Sequence, residues 1–182
     1  MPTVLIVPGL NGSGPEHWQT YWEHEIPGAV RVVQADWDRP RRAPWVAALV
    51  AAVDAHPGAF IVAHSLGGPT VAWAVEDRLL RDVSGAMLVA PPDVDDIGRI
   101  EDPLRDFTPM PLSRFPFPTV LVASQNDPYS TITRARFFAR RWGAEFVNVG
   151  DEGHINADSG LGDWPEGKAI LARLMGGEVE TA

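Results

Sequence analysis

Six stretches of this 182-residue chain are four to five residues long and almost wholly apolar: Val4–Val7, Val30–Val33, Phe60–Ala63, Ala86–Ala90, Thr119–Ala123 and Phe146–Val149. A strand with one wet face alternates apolar and polar residues. A strand covered on both faces reads as a continuous apolar run, as in a parallel sheet sandwiched by helices. Parallel neighbours need long crossovers, and the segments between the runs carry helical spacing. Trp45, Leu49 and Val53 recur at i, i+4, i+8 in 43–55, which His56-Pro57-Gly58 ends. Val71, Val75 and Leu79 do the same in 66–81, with Pro69 early enough to be tolerated. Ser130 precedes a helix over about 131–142, and Asp163 with Glu166 forms a D-x-x-E capping box ahead of Ile170, Leu171 and Leu174, closed by Gly176-Gly177. A first helix falls near 15–25. The expected fold is α/β: a compact sheet of about six mostly parallel strands, helices on both faces, right-handed crossovers and no cap domain. One domain spans 1–182, its last few residues a disordered tail. The segment 102–118 holds five prolines and is irregular, read equally as a plain crossover or as a wall of a cleft.

Composition narrows the function classes. At 45% hydrophobic and 21% charged residues the chain is globular. Its formal net charge of −9 argues against nucleic acid or an anionic membrane as partner, since both need a basic surface. Without cysteine it has no disulfide, thiolate metal site or Cys nucleophile. The start MPTVLIVPGL has no basic n-region, and no run approaches the ~20 apolar residues of a membrane span, so a cytoplasmic location is expected.

In open α/β sheets, working residues gather at the carboxyl ends of the strands. The third run enters FIVAHSLGG, residues 60–68. A strand, a sharp turn with serine at its apex and then a helix make a nucleophile elbow. Small residues must flank the strained serine, and Ala63 and Gly67 lie at −2 and +2 from Ser65. The usual G-x-S-x-G thus has Ala in place of its first Gly. A serine hydroxyl needs a base, and the base an orienting group. His154, in the loop after the sixth run, is the candidate base. Asp127, after the fifth, is the candidate orienter, in the chain order Ser…Asp…His that this topology uses. The N–H of Leu66, with that of Leu10 or Asn11, is the expected oxyanion hole.

Other residues compete. Asp93, Asp95 and Asp96, after the fourth run, are alternative acids in what reads as a solvated stretch. His64 adjoins Ser65 but points away at an elbow, which favours packing or support. His17 and Pro92 are candidate substrate contacts. His24 and His56 read as surface residues, and Arg134, Arg136, Arg140 and Arg141 as a solvated helix face. No H-x-x-x-H or similar spacing indicates a metal site.

Taken together, VLIVPGLNGSGPEHWQTYWE, QADWDRP, VAHSLGG, SQNDPYS and DEGHIN resemble the small single-domain α/β-hydrolases of the YdeN-like, retinoblastoma-binding-protein-like serine hydrolase family, over nearly the whole chain. The resemblance implies a triad of Ser65, Asp127 and His154 and no cofactor. The resulting expectation is a lidless serine esterase acting on small carboxylic esters. Amidase, thioesterase or acyltransferase chemistry with the same triad is the alternative, as is a catalytically weak interaction protein of the same fold. Oligomeric state is left open.

Overall fold

The computed structural model describes residues 2–96 and 98–176. The expected tail and Gly177 therefore lie outside the described residues. Six strands, β1 (Val4–Val7), β2 (Ala29–Arg31), β3 (Ala59–His64), β4 (Val83–Val89), β5 (Thr119–Ala123) and β6 (Glu145–Asn148), form one sheet in the order β2-β1-β3-β4-β5-β6. Every pairing is parallel. Five helices connect or follow them: α1 (Trp18–Glu25), α2 (Arg42–Ala55), α3 (Gly67–Glu76), α4 (Ile132–Trp142) and α5 (Pro165–Leu174).

The two-residue period of the strands divides the core. Leu5, Val7, Ile61, Ala63, Leu88 and Leu121 face α2, α3 and α4, which contribute Trp45, Leu49, Val71 and Phe138. Val4, Ile6, Val62, Met87, Val89 and Val122 face α1 and α5, where Trp18 and Trp22 of α1 pack with Trp164, Ile170 and Leu171. The two layers bury the sheet on both sides, the condition that near-continuous apolar runs encode.

Several local expectations change. The third helical pattern runs one turn too far. α3 ends at Glu76 because Arg78 turns left-handed (φ 56°) and the Leu79 N–H reaches back to the Ala74 carbonyl, leaving Leu79 41% exposed. The α4 cap is Thr131, whose side chain accepts the Arg134 N–H, and not Ser130. The capping box at α5 does not form. Trp164 occupies the cap position at φ 47°, and the Asp163 carboxylate instead takes a hydrogen bond from Lys168. The edge strand β2 stops before Val33, which is 68% exposed.

The irregular segment is tied down by indoles. Trp73 donates its ring N–H to Phe107 O (2.7 Å) and Trp142 donates to Pro111 O (2.8 Å). Within it, Asp102–Phe107 forms a 3₁₀ turn. Both readings of the segment hold in part. It is a crossover between β4 and β5, and Leu104 together with the neighbouring Glu101 walls a cleft at the strand ends.

Candidate active site

From β1 the chain winds outward to β2 on one side, then returns past β1 to β3, β4, β5 and β6 on the other. The loops leaving β1 and β3 therefore diverge, and a crevice opens between them. The β3 loop is the elbow. Ser65 sits at φ 50°, a left-handed value of the kind that costs on the order of 1–3 kcal/mol and persists only when its surroundings enforce it. Its N–H donates to Val89 O (2.9 Å), and its carbonyl accepts the Gly68 N–H (2.8 Å).

Steric room is equally specific. A Cβ on Gly67 would lie 2.5 Å from Val7 O and 3.3 Å from the Ala63 methyl, so α3 can approach β1 only with glycine there. The Ala63 methyl, standing where G-x-S-x-G has glycine, fits because Gly67 yields the space. A Cβ on Gly9 would meet Ser65 Cβ at 2.9 Å and Leu66 N at 3.0 Å. The β1 loop therefore rests against the elbow backbone.

Ser65 Oγ–H donates to His154 Nε2 (2.8 Å), and His154 Nδ1–H lies 3.0 and 3.1 Å from the two carboxylate oxygens of Asp127. The imidazole and carboxylate side chains are 9% and 4% exposed. Asp127 Oδ1 also accepts the Tyr129 N–H (2.9 Å), which leaves the carboxylate little freedom to turn. His64 points into the protein and donates from Nε2 to the His154 carbonyl (2.9 Å). Burial pushes its pKa well below the usual histidine value, so it stays neutral. The next residue, Ile155, accepts the Trp18 indole N–H at 2.8 Å.

Polar side chains of the Asp127 loop hold the His154 loop as well. Asn126 Oδ1 accepts from Ser124 Oγ–H (2.8 Å) and from the Gly153 N–H (2.7 Å), and Ser124 Oγ accepts the Glu152 N–H (2.9 Å). Neither Ser124 nor Asn126 stood out in the sequence, where they look like ordinary loop residues. Tyr129, whose ring centroid is 4.5 Å from that of His154, was also missed, although it is only two residues from Asp127.

The cleft above Ser65 has a volume of about 230 Å³. One wall is the β1 loop with His17, another is Glu101 and Leu104, and a third, Asn156–Asp158, was not anticipated. His17 lines the cleft, and Pro92, expected as a second substrate contact, does not. The Asp93 N–H bonds to Tyr129 O, which draws the turn after β4 beneath the Asp127 loop and buries Pro92. Asn11 is corrected too. Its N–H donates to Trp37 O (3.1 Å), so it has no free donor for an oxyanion. The Leu10 and Leu66 N–H groups make no hydrogen bond among the described residues. Asp93 is not solvated: it is 4% exposed and grips Arg134, at 2.6 Å to Nε and 3.2 Å to Nη2. That pairing also takes Arg134 out of the solvated helix face, while Arg136, Arg140 and Arg141 remain exposed. Among the described residues no group of three or more His, Asp or Glu could hold a metal ion, and no helix is long and apolar enough to cross a membrane.

Comparison with known proteins agrees with this architecture. The serine hydrolase family model matches residues 4–173. A putative YdeN-like hydrolase from Pectobacterium atrosepticum is 33% identical, with 96% of this chain and 90% of that one covered and a TM-score of 0.84. The ydeN gene product of B. subtilis is 20% identical over 97% of this chain and all of its own (100%), with a TM-score of 0.79, and shares the fold. So does Est1E from Butyrivibrio proteoclasticus, at 14% identity over 96% of this chain and 88% of that chain, with a TM-score of 0.67. No curated protein sequence matches. A strand-ended serine within hydrogen-bond reach of a histidine, on a sheet shared with these hydrolases, and a family match across nearly the whole chain lead to one conclusion: the chain belongs to the serine hydrolase family and is an enzyme of the serine hydrolase type, with the α/β-hydrolase fold.

Proposed function

We propose that this enzyme cleaves small carboxylic esters through a Ser65–His154–Asp127 triad and an acyl-enzyme. The observation that carries the reading is the continuous hydrogen-bond chain from Ser65 Oγ through His154 to Asp127 at the mouth of a small open cleft. Ser65 Oγ attacks the ester carbonyl carbon as His154 Nε2 takes its proton. The carbonyl oxygen gathers negative charge and meets the Leu66 and Leu10 N–H groups, the former at the start of α3, where the helix dipole is positive. The imidazolium formed lies against Asp127, which stabilises it and fixes its tautomer. Collapse of the tetrahedral adduct breaks the bond to the alcohol oxygen, which leaves with the proton from His154. Water, deprotonated by the same nitrogen, then attacks the acyl carbon and releases the carboxylic acid and free Ser65.

A cleft of this volume, walled by three short loops, suits short acyl and alcohol groups better than bulky ones. The test is kcat/KM across matched esters, thioesters and amides of graded chain length, with Ser65→Ala as the control. Short esters should be turned over fastest. Ser65→Ala should lose at least ~10³-fold in kcat while keeping the fold, since removing such a serine elsewhere costs about 10⁶. Equal turnover by Ser65→Ala would end this reading, and a preference for thioesters or amides would replace the substrate class while keeping the triad.

A further inference from the structure

Among the described residues, one buried side-chain polar atom has no hydrogen-bond partner: His17 Nε2. Its ring is fixed from the other side. His17 is the N-cap of α1, and its Nδ1 accepts the Gln19 N–H at 3.1 Å. A neutral imidazole that accepts at Nδ1 carries its hydrogen on Nε2, so the orphan is a donor. Two neighbouring side chains direct their hydrogens elsewhere. Gln19 donates to the Val7 and Val62 carbonyls and accepts from Ser13, and His64 donates to the His154 carbonyl. Buried donors left unpaired are rare and costly.

The cap does not account for histidine here. Asn, Asp, Ser and Thr cap helices better, and none of them would place a donor at the Nε2 position. The location does account for it. His17 is 4% exposed, yet lines the cleft beside Ser65, and its ring centroid is 4.6 Å from that of His64, which is 5.0 Å from that of His154. The charged side chains that line the cleft apart from the histidines are Glu101 and Asp158, both acidic.

We propose that His17 is a specificity-determining residue whose Nε2–H binds an uncharged oxygen acceptor of the substrate, a carbonyl, ether or hydroxyl oxygen. This rests on the esterase reading above. The acceptor is uncharged because two carboxylates and no cation face the cleft. A site built to hydrogen-bond a substrate oxygen discriminates against the alkyl analogue, which leaves the buried donor unpaired. His17 stays neutral through the working pH range, with Nδ1 accepting and Nε2–H donating, since burial first, then Arg31 and His154, lower its pKa to about 3.

The test uses isosteric pairs differing by one oxygen. On the acyl side these are p-nitrophenyl methoxyacetate and p-nitrophenyl butyrate; on the alcohol side, 2-methoxyethyl acetate and butyl acetate. Intrinsic reactivity differs within each pair, so the quantity read is the kcat/KM ratio in the wild type divided by that in His17→Asn. Asn keeps the cap of α1, its Oδ1 standing where Nδ1 accepted, and places no donor at the Nε2 position. The methoxy-to-alkyl ratio should be about 10-fold or more lower in His17→Asn for one of the two pairs, a quotient of about 10, chiefly through KM, and the pair that responds tells which side of the ester carries the acceptor. Equal effects on both members of both pairs, or none, would overturn the proposal and leave His17 as a cap.

A second measurement needs neither turnover nor a folded His17 variant. In Ser65→Ala, saturating p-nitrophenyl methoxyacetate or 2-methoxyethyl acetate should move the His17 Nε2–H proton resonance downfield where its alkyl partner does not. No such difference in either pair overturns the proposal. Failure of the esterase reading looks different: the wild type would then hydrolyse none of the four esters.

Discussion

The proposed nucleophile, Ser65, and its two proposed partners are held by different physics. Ser65 is held chiefly by close packing: Gly67 lets α3 press against Val7 O, Gly9 lets the β1 loop rest on the elbow, and only two backbone hydrogen bonds, to Val89 O and from the Gly68 N–H, add to it. His154 and Asp127 are held by polar groups: Asn126, Ser124, Tyr129 N–H, His64 and the Trp18 indole all bond to their loops. Packing constrains through steep repulsion and fails all at once. Hydrogen bonds each contribute about 1 kcal/mol net and fail one by one. The comparison teaches that substitutions at the elbow should act as switches, and substitutions around the base and acid as graded losses, apart from the carboxylate that faces the imidazole.

That exception is the largest expected effect. Asp127→Asn keeps the shape but favours the wrong His154 tautomer, which costs on the order of 10⁴ in kcat in a serine protease, so at least ~10²-fold is expected here. Asp93→Asn, on the same sheet edge, should stay within several-fold in kcat. It should instead lower unfolding free energy by about 1–2 kcal/mol, less than the 3–5 of a fully buried pair because the Arg134 side chain is 37% exposed. Parallel kcat and urea-unfolding measurements separate the two carboxylates, and the opposite ranking in kcat would move the acid to the β4 turn.

Next comes the packed side. Gly9→Ala forces a methyl within 2.9 Å of Ser65 Cβ and 3.0 Å of Leu66 N, and so displaces an expected oxyanion donor. Loss of one such donor costs about 10²–10³-fold in kcat, and about 10² is expected with KM little changed. Unaltered kcat would mean that the β1 loop does not shape the hole.

On the hydrogen-bonded side, Asn126→Ala removes the acceptor shared by Ser124 and Gly153. A loss of ~1–2 kcal/mol in stability and about 10-fold in kcat is expected, an intermediate result that packing defects do not give. All-or-none behaviour in this variant would erase the contrast between the two regions.

How legible this was depends on the range of the interaction. The elbow is local: strand, Ser65 and small neighbours lie within nine residues, and the placement of Asp127 and His154 follows from which ends of parallel strands they terminate. What escaped is set by partners far along the chain. Nothing near Asp93 announces Arg134, 41 residues on. Nothing near Asn11 shows that its N–H is taken by Trp37 O while Leu10 stays free. The Asp163–Glu166 box is a sound local signal undone by the left-handed Trp164, which is packed against Trp18 and Trp22.

A separate effect concerns acid stability rather than catalysis. His17 and His64 are both neutral in the fold because burial lowers their pKa values, to about 3 for His17. Unfolded, both return to about 6.5. Below that value the unfolded chain binds more protons, so stability falls as pH falls below ~6.5, at up to about 1.4 kcal/mol per pH unit for His17 until its folded value is reached, and His64 adds to the fall in the same direction. Urea unfolding at several pH values should show this slope, and His17→Asn should flatten it. A slope unchanged in that variant would mean that His17 is charged in the fold.

The central claim is that the packed elbow presents Ser65 as a nucleophile activated by the hydrogen-bonded His154 and Asp127. The most direct measurement is the rate and site of reaction with a fluorophosphonate, read by intact mass and peptide mapping. The account predicts one adduct per chain, on Ser65, absent in Ser65→Ala and formed at least ~10²-fold more slowly in Asp127→Asn. No adduct on the folded wild-type enzyme, or an adduct that forms equally fast in Ser65→Ala, would contradict it.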